Sequence, residues 1–141
     1  MIDKAEKLQV YLENQSIGRF EVQELGDQQQ SVVFRSMVSL EQNLLPVGII
    51  VDATLFTIVR VKLIENRLDD RNILEAYRCI TTANCRNKIA KYYMTPDMTI
   101  FADACIPAEK GAFSPKLVVD MLHLMLQDVQ QELPAFIDIL Q

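Results

Sequence analysis

The sequence predicts an α+β fold in the order α-β-β-β-β-α-β-β-α: an antiparallel meander, then a C-terminal hairpin, with three helices between and around them. Three observations predict it. Apolar and polar residues alternate in four successive segments of the first half, the period of half-buried strands. Leu68–Asn84 has helical spacing and feeds a hairpin that turns at Thr95-Pro96-Asp97. A long apolar segment then starts at Ser114-Pro115, a capping residue followed by proline at the first helical position.

Ile2, Ala5, Leu8 and Leu12 lie on one side of a helix over residues 2–14, and Ser16-Ile17-Gly18 ends it. Over Arg19–Leu25, Phe20 and Val22 oppose Arg19, Glu21 and Gln23. Gly26-Asp27 and the glutamines after it form a turn or loop. In Ser31–Glu41, Val32, Phe34, Ser36, Val38 and Leu40 share a face, with Arg35, Ser39 and Glu41 on the other. Leu45–Asp52 and Phe56–Ile64 are two more strands, the second with Val59, Val61 and Leu63 opposed by Arg60 and Lys62. Short links favour a meander. Gly48 inside its strand suggests a bulge or close packing.

Asp69 or Asp70 is expected to cap the second helix, whose buried stripe reads Ile73, Leu74, Tyr77, Ile80 and Ala83. The hairpin strands read Lys88–Met94 and Met98–Cys105, with Pro96-Asp97 in the middle of a type I turn. In the last helix, apolar residues from Leu117 to Leu133 cover more than half the circumference, wider than one sheet requires. Pro134 interrupts it, and Ala135–Leu140 is a last turn or a docking tail.

The chain has 141 residues, half of them hydrophobic, enough for one domain with a sizeable core. The N-terminus lacks the apolar region of a signal peptide, no run is long enough to span a bilayer, and Cys79, Cys85 and Cys105 read as free thiols, so a cytoplasmic location is expected. A net charge of −5 argues against general binding to nucleic acid, although residues 60–91 carry +4 and the rest −9. That local excess reads as a solvated helix face or as a basic patch for an acidic partner.

No catalytic constellation emerges. The single histidine, His123, falls on the polar side of its helix with no nucleophile or orienting carboxylate in its sequence context. Cys79 and Cys85 are six residues apart and face different directions on a helix, so they do not converge on a metal. Tyr92 and Tyr93, with Lys88 and Lys91 nearby, resemble an aromatic-basic surface, but strand alternation puts the two rings on opposite faces. No glycine loop cradles phosphate; neither cofactor nor metal is expected.

Taken together, the segments Ile73-Leu74 through Thr82-Ala83-Asn84, Lys91-Tyr92-Tyr93-Met94, Asp103-Ala104-Cys105-Ile106-Pro107, and Leu45-Pro46-Val47 to Ile58-Val59-Arg60-Val61 resemble, in order and spacing, the YbjN-like family of bacterial putative sensory transduction regulators. The chain departs from similar sequences at Ala83-Asn84-Cys85 and Pro96-Asp97-Met98, where these often carry asparagine-rich helix ends and a turn glycine. The resemblance implies a fold similar to type III secretion chaperones, with helices on one face of the sheet. It also implies a cytoplasmic homodimer that binds client or partner proteins.

The expectation is therefore a non-enzymatic interaction module, chaperone-like or regulatory, that pairs with itself and with an unidentified protein. Its contact residues are expected on the last helix (Val118, Met121, Leu122, Met125) or on the sheet's outer face near Arg35, Arg60 and Lys62. The alternative is a small-ligand or enzymatic domain with a pocket between the sheet and the last helix.

Overall fold

The computed structural model describes every residue, Met1–Gln141. Its elements follow the expected order: α1 (Asp3–Asn14), β1 (Glu21–Glu24), β2 (Val32–Leu40), β3 (Asn43–Val51), β4 (Phe56–Ile64), α2 (Ile73–Arg86), β5 (Lys91–Met94), β6 (Ile100–Pro107) and α3 (Pro115–Asp138). All six strands join one antiparallel sheet in the order β1-β2-β3-β4-β6-β5. The hairpin β5–β6 therefore enters with its second strand against β4 and leaves β5 at the edge.

Alternation sorts each strand into two faces. Val32 and Phe34, then Leu45, Val47, Ile49 and Val51, then Val59 and Val61, are buried on the inner face. Ala102 and Ala104 continue that face on β6, and Tyr92 on β5. The small alanines let α3 approach β6, while α3 also packs on β4 and lies against both α1 and α2. This position explains its wide apolar arc: one side meets the sheet and the flanks meet the other helices. Leucine, valine and methionine side chains of α3 fill that space, with Val118, Leu122 and Met125 only 1, 3 and 0% exposed. These three are core residues. They are not available to a partner, which corrects the expectation that they form a contact surface. Only Met121, half-buried, stays within reach.

Other local expectations are revised for identifiable reasons. Asp69 does not cap α2; its carboxylate accepts from the Arg71 amide at 2.8 Å inside a preceding turn, and Asn72 is the residue before the helix. The inward stripe of α2 is Ala76, Cys79, Ile80 and Ala83, while Ile73 is half-buried and Leu74 and Tyr77 are 69 and 51% exposed. The helix seats closely through alanines, so the larger residues turn to solvent. Gly48 marks no bulge; pairing runs through it without a break, and the one irregularity lies between Lys62 and Ile64, where Leu63 and Ile64 both turn inward. The Ser114 hydroxyl caps α3 by accepting from the Leu117 amide at 3.1 Å. The helix runs through Pro134 to Asp138.

Polar ties fix the helices. The Lys4 ammonium donates to the carbonyls of Asp52 and Thr54 at 3.1 and 2.9 Å, holding α1 to the β3–β4 turn. Glu132 of α3, 3% exposed, is met by Arg86 of α2 at 2.6 Å. Beside it the buried Tyr92 ring stacks on Phe136 at 6.0 Å, and its hydroxyl makes no hydrogen bond. Burial, aided by Asp128 and Glu132, raises the Tyr92 pKa far above its ordinary value.

Two substitutions at this junction should move stability in opposite directions. Arg86→Ala strands the Glu132 carboxylate and should lower the unfolding free energy by about 2 kcal/mol, the worth of a hydrogen bond to a charged group. Tyr92→Phe removes an unpaired buried hydroxyl and should raise it by about 1 kcal/mol. Urea unfolding monitored by circular dichroism measures both.

Candidate functional site

Directly opposed residues of an antiparallel pair share a face. The register therefore lays a ladder of six residues, Glu21–Arg35–Gly48–Arg60–Asp103–Lys91, across the outer face, one from each strand. A flanking ladder is mostly apolar: Gln23–Val33–Ile50–Ile58–Cys105. On the other flank lie Met37 with Pro46, and Lys62 with Phe101 and Tyr93. No helix covers this face. It forms an open concavity of about 1220 Å³ whose lining includes Arg19, Arg35, Met37, Gly48, Ile50 and Arg60. Thus the sheet's outer-face residues named from sequence, Arg35, Arg60 and Lys62, are brought together. The expected alternative, a pocket between sheet and last helix, falls where the α3 side chains are packed.

At one side of the concavity Asp103, 8% exposed, organises the polar groups. It accepts from Arg60 Nε at 2.9 Å and Nη2 at 3.0 Å, a two-pronged pair, and from the Tyr93 hydroxyl at 2.9 Å. Arg60 lies 5.2 Å and Lys62 5.9 Å from the Phe101 ring centre, and Phe101 stacks on Tyr93 at 5.7 Å. Lys91 sits 4.9 Å over Tyr93. In this half of the site Asp103 balances Arg60 and Glu65 balances Lys62, which leaves only Lys91 without an anionic partner. The other half is not. Arg35 donates only to the neutral Gln23 side chain, and neither Arg35 nor Arg19 forms an ion pair.

The sheet's edges differ. Asn84 of α2 donates to the Tyr92 carbonyl at 2.9 Å and accepts from the Tyr92 amide at 2.7 Å. A side-chain amide thus occupies the outward backbone groups of Tyr92 and obstructs strand addition along that edge. At the opposite edge, β1 is short and carries Glu21 and Glu24.

The residues considered for chemistry are dispersed. His123 is exposed on α3; Cys85 is exposed at the end of α2; Cys105 is exposed on the outer face of β6; Cys79 is half-buried against α3. Burial raises the Cys79 pKa. Tyr92 and Tyr93 do point to opposite faces, the first into the core. Sequence reading missed Asp103, Tyr93, Phe101 and Arg19 as parts of the outer face. Alternation places Phe101 and Asp103 on one face of β6, but only the β4–β6 register sets them beside Lys62 and Arg60. No helix is long and apolar enough to cross a membrane.

Burial first, then the bond to Asp103, pushes the Tyr93 pKa up to about 12. Since an unfolded tyrosine ionises near pH 10, the native state keeps this proton while the unfolded state loses it. The contribution to stability is fully present below about pH 10 and is lost as pH rises toward about 12. Unfolding free energy should therefore fall over that window in the wild type and fall less in Tyr93→Phe. Equilibrium unfolding of the two proteins at stepped pH tests this; equal slopes would refute it.

No family model matches the sequence, and comparisons with curated proteins and with solved structures find no match.

Proposed function

We propose that this chain is a non-enzymatic protein-interaction module, chaperone-like or regulatory, that works in the cytoplasm as a homodimer and holds its partner on the outer face of the sheet. The observation that carries the proposal is the uncovered six-stranded face with its concavity. It exposes Met37 and Leu25 to 50 and 47% beside the unpaired arginines. An exposed patch that joins apolar and cationic groups on a rigid sheet suits protein recognition. The dispersal of His123 and the three cysteines gives no nucleophile–base pair to support an enzymatic reading. The resemblance in element order to the YbjN-like family supports the same class of role.

Self-association has a separate candidate surface. Leu117, Met121 and Leu124 fall at i, i+4 and i+7 on α3, and Leu117 and Leu124 are 47 and 42% exposed. This stripe replaces the buried residues of the same helix as the proposed dimer contact and leaves the sheet face free.

Sedimentation equilibrium at micromolar concentration should give a dimer for the wild type and a monomer for Leu117→Glu/Leu124→Glu, with unchanged circular dichroism. Affinity capture from the native host should recover proteins with the wild type that Met37→Glu/Ile50→Glu, also folded, does not recover. A strictly monomeric wild type whose captured proteins are the same with and without the sheet-face substitutions would overturn the proposal.

A further inference from the structure

Gly48 lies at the centre of the outer ladder, between Arg35 and Arg60. Glycine in a strand interior is destabilising, so its presence there needs a cause. The usual causes do not apply. Gly48 is not among the residues with positive φ. Pairing is regular on both sides of it. A Cβ at this position would meet only the Phe34 carbonyl oxygen, at 3.8 Å, which is ordinary contact. What the missing side chain does is leave a notch. Its side walls are Arg35 and Arg60, about 10 Å apart across two strand spacings, and its ends along β3 are Pro46 and Ile50.

We propose that the notch over Gly48 receives a large apolar side chain of an acidic protein segment, whose carboxylates pair with Arg35 and Arg19. This rests on the interaction reading above and specifies the partner's chemistry. Arg60 and Lys62 already have anionic partners, whereas Arg35 and Arg19 have none. Both line the same concavity, so charge complementarity calls for carboxylates there. Pro46, Met37 and Ile50 beside the notch supply apolar contact. A nucleic acid is disfavoured: its unbroken row of phosphates would run over Glu13, Glu21 and Asp103 as well as the cations, whereas a peptide segment needs carboxylates only opposite Arg35 and Arg19.

The test is selection of random peptides from a displayed library on the wild-type protein, followed by affinity measurement with Gly48→Val and Arg35→Gln. Valine at Gly48 fits the extended backbone and the open space, so this variant should fold with a higher melting temperature while filling the notch. The expected peptides carry aspartate or glutamate around a large apolar residue and perturb amide signals of β2–β4. Each variant should weaken them about tenfold or more. Peptides that bind the sheet face but lack acidic residues, or that bind Arg35→Gln and Gly48→Val as tightly as wild type, overturn this proposal and leave the interaction reading standing. Peptides that map to the helices, or no enrichment, overturn both. Tighter binding of an oligothymidylate strand that the same variants block overturns it in favour of nucleic acid.

Discussion

Burial of one side of the pleat governs this molecule. Because strand side chains alternate, committing Phe34, Ile49 and Val59 to the core commits Arg35, Gly48 and Arg60 to the opposite face with no further choice. A slip of one residue would expose the whole apolar set, so the hydrophobic free energy that fixes the core also fixes the order of groups on the surface. The outer ladder is therefore as well defined as the core, although few of its members pack against anything above them. An outer face built this way is set in place by the core, so docking of a partner there, as proposed, would cost little ordering entropy.

The helices solve a different problem. Six strands present a broad apolar layer, and three helices cover it only if the middle one is apolar on its flanks as well as its base. That demand accounts for the breadth of the apolar arc on α3. It also explains the buried Glu132: α2 crosses close enough for Arg86 to reach into the helix–helix junction, so one charge is buried with its counter-charge at the rim. The arginine side chain is 62% exposed and the glutamate 4%, which makes the pair a fastener at the edge of the layer.

Element order, strand faces and the capped start of α3 were legible in the sequence because each depends on local periodicity. The membership of Arg35, Arg60 and Lys62 in one surface was legible for the same reason. What failed depends on distance of approach. Leu74 and Tyr77 have the spacing of a buried stripe, but Ala76 and Ala83 permit closer seating and win the interface. The two-residue turn Glu41-Gln42, with φ of 49° and 64°, carries none of the asparagine or glycine that marks such turns, so the tight β2–β3 hairpin left no signal. The breadth of α3's apolar arc was visible, but whether other helices of the same chain or a separate molecule met its flanks was not. Asp103 and Tyr93 joined the site only through strand pairings made across long stretches of chain, including a β4–β6 contact that skips β5.

The amide of Asn84, seated on the backbone of Tyr92, has a consequence for symmetry. With β5 obstructed at Tyr92, the sheet is more readily extended from β1. Two chains that joined their sheets would do so most readily β1 to β1, each offering the same edge to the other. Such a contact is self-complementary and uses up both unobstructed edges at once. Growth by strand addition thus favours two copies, and an open-ended fibre of stacked native sheets would have to continue from the obstructed edge.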